Sequence, residues 1–171
     1  MDNIERILDA NQRYAEHQHD PRLSSSPFLQ LVVITCMDCR VDPYKALGLA
    51  PGEAHILRNA GGIVTRDTLR SLVVSHNLLG TREAVIIMHT DCGMRKYGDA
   101  DIRRRIRANH GVSTRAKFES FDSMEEALAR SIAAIRACPG LAPTFEVTGL
   151  VFDVADGRLR GLEGGEPGPA V

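Results

Sequence analysis

The chain has 171 residues, of which 43% are hydrophobic and 25% are charged, and its formal net charge is -1. A chain of this length can bury one hydrophobic core, so we expect a single domain over residues 1–171. The near-zero charge argues against a general nucleic-acid or membrane-surface role, and no apolar run approaches the roughly 18 to 20 residues that span a bilayer. Because the N-terminal residues also lack the regions of a signal peptide, the predicted compartment is the cytoplasm.

The first predicted element is an amphipathic helix over residues 3–16, where apolar residues recur at helical spacing. This helix lies outside the main sheet and must therefore pack on another surface. After a linker with Pro and Ser, residues 28–35 form an apolar run of strand length, and the lack of alternation indicates a strand that is buried on both faces. Pro43 opens a short turn of helix, and residues 54–57 form a second strand.

The second half of the chain continues this alternation of helices and strands. The predicted elements are a helix over 67–79, a strand over 84–88, a helix that Ser123 caps and that ends before Pro139, a strand over 145–154 and, after a tight turn, a short strand ending at Leu162. Residues 163–171 are rich in Pro and Gly and are predicted to be a disordered tail.

These elements predict an α/β fold: a doubly wound, mainly parallel sheet with an antiparallel edge strand and an N-terminal helical arm. If the first strand lies between the second and the third, the helices after the first and third strands leave on opposite faces. A crevice then opens at the carboxyl ends of these strands, where ligands bind in folds of this kind.

Sulfur and nitrogen ligands follow two of the predicted strands directly. Cys36 and Cys39 come after the first strand, and His89 and Cys92 come after the strand over 84–88. Thiolate and imidazole are donors that zinc prefers, and a parallel sheet aligns the ends of its strands along one edge. The sequence therefore predicts a Zn²⁺ site at this edge.

The spacing is compatible with two kinds of zinc site. Three protein ligands with an open fourth position are typical of a catalytic zinc, whereas four protein ligands are typical of a structural zinc. Cys36, His89 and Cys92 form the open set, and the addition of Cys39 gives a closed Cys3His set.

Asp38 and Arg40 favour the catalytic interpretation. A carboxylate two residues after a ligand cysteine can reach the open side of the metal, and an arginine two residues further on can hold it ionised through a charge-assisted pair. In another part of a sequence, an aspartate and an arginine at this spacing would be explained by an ordinary salt bridge within a loop. Here their position inside the ligand segment favours a catalytic role.

Three motifs in the chain resemble the β-class carbonic anhydrases in order, spacing and identity. They are Cys36-Met37-Asp38-x-Arg40-x-x-Pro43, Gly52-Glu53-Ala54-His55 through Arg58-Asn59-Ala60-Gly61-Gly62, and His89-Thr90-Asp91-Cys92-Gly93-Met94. The resemblance covers roughly residues 28–162 and is to the small prokaryotic branch of the family. It implies that Cys36, His89 and Cys92 bind zinc and that Asp38 and Arg40 form the catalytic dyad.

The implied activity is that of a lyase, the zinc-dependent reversible hydration of CO2 to bicarbonate and a proton. A zinc-bound hydroxide would attack CO2 while Asp38 and Arg40 orient it, and in a closed form known in the family Asp38 itself would bind the metal. Gly61, Gly62 and the backbone N–H of Gly93 are candidates for binding the substrate oxygens.

The resemblance also implies a homodimer, or a higher homo-oligomer built from dimers, in which the helix over residues 3–16 embraces the partner subunit. Neither a nucleic acid nor a membrane is expected as a partner. The family usually has alanine at position 39, and we expect Cys39 to be a small buried residue without a role at the metal.

The sequence is also compatible with two functions other than the hydration of CO2. A hydrolase of carbonyl sulfide or carbon disulfide would share every site residue named above and differ only in access to the pocket. A non-enzymatic zinc or thiol module would instead use Cys39 as a fourth ligand or as the redox partner of Cys36.

Overall fold

The computed structural model describes residues 2–161 of the chain. The strands are β1 Leu31–Cys36, β2 Ala54–Asn59, β3 Glu83–His89, β4 Glu146–Phe152 and β5 Leu159–Gly161. The helices are α1 Asn3–His17, α2 Pro43–Leu47, α3 Arg66–Leu79, α4 Gly93–Lys96, α5 Asp99–His110 and α6 Met124–Arg136, and one turn of 3-10 helix spans Ala60–Gly62.

The five strands form one sheet in the order β2-β1-β3-β4-β5. The pairs β1–β2, β1–β3 and β3–β4 are parallel, and β4–β5 is antiparallel. This topology confirms the predicted α/β class with an antiparallel edge and the predicted place of β1 between β2 and β3. In register, Thr35 pairs with Arg58 on one side and with Ile87 on the other, so the carboxyl ends of the three strands lie side by side.

β1 is buried on both faces, as the unbroken apolar run predicted. Val32 and Ile34 belong to the larger apolar cluster, where α3 and α6 contribute buried leucines. Val33 belongs to a smaller cluster, against which Leu47 of α2 packs. Because successive side chains of a strand point to opposite faces, the two clusters lie on the two sides of the sheet. Met94 of α4 packs on the larger cluster, so the helices after β1 and β3 do leave on opposite faces.

Capping residues set most of the helix boundaries close to the predicted positions. Ser123 accepts a hydrogen bond from the backbone N–H of Glu126 at 3.1 Å, and Gly80 ends α3 in the left-handed conformation. The first strand was predicted to begin at residue 28 but begins at Leu31. Gln30 has a φ of 54° that interrupts the extended backbone, and the Phe28 side chain is exposed rather than packed in the sheet.

The N-terminal helix α1 forms at the predicted place, and Asp2 caps it. None of its residues is buried, and its apolar residues Ile4, Ile7 and Leu8 are each at least 60% exposed. Among residues 2–161, no helix has the length and apolar character needed to cross a membrane. The cytoplasmic location stays a prediction, and the predicted tail over residues 163–171 lies outside the described residues.

Candidate metal centre

Three buried side chains converge at the carboxyl ends of β1 and β3. Cys36 is the last residue of β1, His89 is the last residue of β3, and Cys92 is the N-cap of α4. Their ligand atoms all lie within 4.8 Å of one another, and each residue is at most 4% exposed. Within residues 2–161, this is the one group of His, Cys, Asp and Glu side chains that could hold a metal ion. Cys39 is not part of it.

The hydrogen bonds of His89 leave one ring nitrogen ready to bind a metal. Nδ1 donates to the backbone carbonyl of Thr90 at 2.8 Å, so Nε2 carries the lone pair. Among the described residues, Nε2 of His89 is the one buried side-chain nitrogen or oxygen that has no hydrogen-bond partner. Leaving a buried polar atom unpaired costs about 1–3 kcal/mol, so the environment of this atom fits a metal ligand.

The two cysteines favour a cation between them. The hydrogen bond with Cys92 lowers the pKa of Cys36, and the same hydrogen bond together with burial raises the pKa of Cys92. Two adjacent thiolates would repel each other in this buried place, so the pair retains a proton. A divalent cation removes that repulsion and allows both sulfurs to ionise.

Backbone donors around the two sulfurs also support the thiolate form. Backbone N–H groups of Asp38 and Gly61 donate to Cys36, and those of Met94 and Arg95 at the start of α4 donate to Cys92; both pairs of contacts lower the pKa of the thiol that they reach. Two thiolates and one neutral imidazole form a donor set that suits zinc, with a fourth position left for a small molecule. The residues at the site therefore fit the expected ion.

Asp38 and Arg40 form a bidentate ion pair beside the candidate metal ligands. Arg40 Nε donates to Asp38 Oδ1 at 3.0 Å, and Arg40 Nη2 donates to Asp38 Oδ2 at 2.8 Å. These contacts, and the backbone N–H of Arg40, hold the pKa of Asp38 well below its usual range. Oδ2 of Asp38 lies 3.8 Å from Nε2 of His89, so the carboxylate faces the metal ligands.

The other edge of the Arg40 guanidinium contacts Asp91, which lies between the candidate ligands His89 and Cys92 in the chain; we call residues 89–92 the second ligand segment. Arg40 Nη1 donates to Asp91 Oδ2 at 2.9 Å, and Arg40 Nη2 approaches the backbone carbonyl of Asp91 at 3.3 Å. Lys96 forms an ion pair with the other carboxylate oxygen, Oδ1. The contacts with Lys96 and Arg40 lower the pKa of Asp91. From the sequence, Asp91 had no predicted role beyond its place in the motif.

Arg58 holds the backbone of the loop that carries the pair. Its Nε donates to the carbonyl of Cys36 at 3.0 Å, and its Nη2 donates to the carbonyl of Asp38 at 2.7 Å. Arg58 belongs to the second of the three sequence motifs but had no predicted role there. Its position at the end of β2, beside β1 in the sheet, was the signal that could have indicated such a contact.

A cavity of about 420 Å³ opens over the metal ligands. The two cysteines and Asp38 form its floor, while Ile102, Ile106 and Arg105 of α5 contribute to its wall. The Arg105 guanidinium stacks over the ring of Tyr97 with 4.8 Å between its carbon and the ring centroid. No motif in the sequence indicated that α5 would cover the site.

The three candidate glycines differ in their surroundings. Gly61 and Gly93 line the cavity, and the space where a Cβ of Gly93 would lie is open. Gly62 has a φ of 64°, and a Cβ there would lie 2.8 Å from the backbone nitrogen of Cys36. Only glycine fits at position 62, because a side chain would collide with β1.

Cys39 corrects one expectation. A small buried residue was predicted at this position, but Cys39 is exposed on the loop after β1. The loop leaves the sheet after Cys36, and its next three residues are only partly covered or exposed.

Comparison with known proteins places these features in a family. A profile of the carbonic anhydrase family matches residues 31–159. Beta-carbonic anhydrase 1 of Mycobacterium tuberculosis is 40% identical over 153 residues, which cover 90% of this chain and 93% of that protein. A carbon disulfide hydrolase of Acidianus sp. is 32% identical over 155 residues, which cover 77% of this chain and 76% of that protein.

A solved structure of a carbonic anhydrase also matches this chain. The structure of a carbonic anhydrase from Streptococcus mutans matches with a TM-score of 0.89 and 37% identity, and the match covers 94% of this chain and 97% of that chain.

Proposed function

We propose the chemistry of this chain from the premise that it belongs to the β-class carbonic anhydrase family. The proposed reaction is the reversible hydration of CO2 to bicarbonate and a proton. One observation carries the proposal: Nε2 of His89 is buried without a partner, beside two thiols and facing the Asp38 carboxylate. This arrangement suits a metal with one open position next to an oriented hydrogen-bond acceptor.

We propose that Cys36 Sγ, Cys92 Sγ and His89 Nε2 hold one Zn²⁺ per chain. When bound, zinc supplies the Lewis acidity that makes water a nucleophile near neutral pH. The carbonyl of Thr90 fixes the ring of His89, and the backbone donors at Gly61 and Met94 help to keep the sulfurs ionised. Asp38 as an additional ligand in a closed form stays a prediction.

Asp38 orients the attacking water in this proposal. Its Oδ2 accepts a hydrogen bond from the water, which turns a lone pair of the water oxygen toward the carbon of CO2. Because Arg40 keeps the pKa of Asp38 low, the carboxylate has no proton to donate and can only accept. The new C–O bond forms as one C–O π bond of CO2 breaks, and the released proton passes to the solvent.

The cavity suits a small apolar substrate. Met94, Ile102 and Ile106 give it an apolar side, where CO2 is not in competition with strongly held water. We propose that the backbone N–H of Gly93 contacts a bicarbonate oxygen, because Gly93 lines the cavity. The N–H of Gly61 already donates to Cys36, and Gly62 supports the turn by packing against β1.

A second candidate reaction is the hydrolysis of carbon disulfide or carbonyl sulfide. The relative from Acidianus sp. carries the name carbon disulfide hydrolase, and the same apolar cavity would admit these linear molecules. The two activities require the same metal ligands and the same acceptor. Release of hydrogen sulfide from carbon disulfide by the purified protein, without CO2 hydration, would favour the second reaction.

We also propose that the apolar face of α1 packs on a second copy of the chain, giving a homodimer. The exposure of Ile4, Ile7 and Leu8 on a helix with no buried residue supports this proposal. Light scattering of the parent and of a Leu8→Glu variant tests it. The parent should have the mass of two chains, and the variant should shift toward one chain.

Stopped-flow hydration of CO2, read from a pH indicator, tests the main proposal on zinc-loaded protein. We expect a rate well above that of buffer and a zinc-to-chain ratio near one. Removal of zinc by a chelator should abolish the rate, and readdition of zinc should restore it. Full metal content without hydration of CO2 would contradict the proposed reaction.

A further inference from the structure

The ion pair between Asp38 and Arg40 does not by itself fix the orientation of these side chains relative to the other residues of the site. Both residues belong to the loop after β1, so their mutual ion pair fixes them relative to each other but not to His89 and Cys92. The loop is partly exposed, and the Arg40 side chain is 44% accessible to solvent. A half-exposed arginine has several rotamers available unless other contacts select one. Orientation relative to the second ligand segment therefore needs another contact.

Asp91 supplies that contact from the second ligand segment. Its carboxylate accepts from Arg40 Nη1, its backbone carbonyl lies near Arg40 Nη2, and the two residues are 51 positions apart in the chain. Arginine has five N–H donors, and the carboxylate of Asp38 takes only two of those on the guanidinium. Asp91 receives two others, so the guanidinium is clamped between the two loops.

The conformation of Asp91 suits this task. Its φ is 60°, in the left-handed region that few residues other than glycine adopt, and aspartate tolerates it better than most. Lys96, at the end of α4, pairs with the second carboxylate oxygen. The Asp91 carboxylate is thus held on one side by a short helix and on the other side by Arg40.

We propose that Asp91 is a positioning residue for the reaction, which fixes Arg40 and through it the direction in which Asp38 presents its Oδ2. This inference rests on the proposed function of the same site and adds a residue to it. Asp91 belongs neither to the group of candidate ligands nor to the residues that line the cavity, so its effect passes through Arg40.

Three variants test the proposal. Asp91→Asn keeps the shape and tolerance for positive φ but removes the charge, whereas Asp91→Gly removes the side chain and adopts the same backbone without strain. Asp67→Asn is the matched control, because Asp67 forms an exposed ion pair with Arg70 at 2.8 Å on α3. Zinc content and far-ultraviolet circular dichroism should be the same in all of them as in the parent.

The kinetic expectation is a loss in kcat with little change in KM. Both Asp91 variants should lose about fivefold in kcat, near the upper limit for one partly exposed ion pair, and Asp67→Asn should stay within about twofold of the parent. In an Arg40→Lys background, the further change Asp91→Asn should have no added effect, because the guanidinium through which it acts is gone. Additive losses in this double-mutant cycle, or loss of zinc in Asp91→Asn, would overturn the proposal.

A second measurement does not depend on activity. The side-chain Nε–H of Arg40, which donates to Asp38, is observable by nitrogen-15 NMR, and its exchange with water should be about fivefold faster in Asp91→Asn than in the parent. Unchanged exchange together with unchanged kcat would overturn the role of Asp91. If the parent hydrates no CO2, the proposed function fails, while the exchange rate still decides whether Asp91 fixes Arg40.

Discussion

Two regions of the site, the buried ligands and the charged loop beside them, are held in place by different forces. Cys36, His89 and Cys92 are at most 4% exposed; Cys36 and His89 end strands whose positions the sheet determines, and Cys92 is the N-cap of the short helix α4. The side chains of Asp38 and Arg40 are 19% and 44% exposed, and ion pairs hold them. Buried packing resists local change more strongly than partly exposed ion pairs do.

This difference predicts two kinds of response to mutation. A change among the buried ligands should remove the metal and with it the entire activity. A change in the charged loop should leave the metal in place and lower the rate by a graded amount.

The largest expected effect is that of Cys36→Ser. Loss of one thiolate from a three-ligand set should release zinc and lower the rate of CO2 hydration by about a thousandfold or more. Metal analysis after gel filtration measures the first effect, and stopped-flow hydration measures the second. Cys138→Ser is the matched control, because Cys138 is a half-buried thiol outside the group of ligands. A full complement of zinc in Cys36→Ser would show that the ligand assignment is wrong.

Asp38→Asn should give the largest effect in the charged loop. The amide preserves the shape but loses the charge that Arg40 stabilises, and it can donate a hydrogen bond where the water needs an acceptor. We expect zinc to be retained and kcat to fall by about a hundredfold, a loss comparable to removal of one oriented hydrogen-bonding group in other active sites.

Asp42→Asn provides the control for this prediction. Asp42 lies in the same loop but caps α2 by accepting from the backbone N–H of Lys45. The kcat of Asp42→Asn should stay within about twofold of that of the parent, since asparagine is also a good N-cap. If Asp38→Asn were instead to lose its zinc, metal binding would depend on the charged loop as well as on the buried ligands, and the proposed difference between the two regions would be wrong.

Asp99→Asn should change stability rather than metal binding. Asp99 ties the segment over 118–120 to α5, because its carboxylate accepts from the backbone N–H groups of Ser120 and Phe118. These contacts lower the pKa of Asp99 to about 2. A lowered pKa stabilises the folded state above the unfolded pKa of about 3.9, and this contribution is lost as the pH falls through about 2.

The variant should therefore have a lower melting temperature than the parent at pH 7, and the difference should shrink below about pH 4. Because α5 forms the cavity wall, KM should rise slightly while zinc content is unchanged. Thermal unfolding between pH 2 and pH 7 checks the sign. A difference in melting temperature that grows on acidification would contradict the assigned role.

The smallest expected effect is that of Cys39→Ala. Cys39 is exposed and lies outside the ligand group, so zinc content should be unchanged and the hydration rate should stay within about threefold, or about 0.6 kcal/mol in the barrier. A fourth-ligand role would give the opposite result, with weaker zinc binding and activity that the parent lacks. Rapid inactivation of the parent by peroxide, reversed by dithiothreitol and zinc and absent in the variant, would reveal a Cys36–Cys39 disulfide.

Much of the fold was predictable because its signals are local. Apolar runs mark the buried strands, and caps such as Ser123 and Gly80 mark the ends of helices. Boundaries failed where a single backbone conformation intervened, as at Gln30 before β1. The helix α5 was not delimited in advance, because its apolar positions are few and none of its residues is buried.

The candidate ligands, and the edge of the sheet at which they lie, could be predicted from the sequence alone. Few residue types bind zinc, and Cys36 and His89 come directly after apolar runs that predict buried strands, so pattern and chemistry pointed to one edge of one sheet. The folded structure was needed to show that Asp91 contacts Arg40, that α5 lines the cavity and that Cys39 is exposed. Such contacts join residues far apart in the chain, and they depend on turn conformation and side-chain reach that no local pattern encodes.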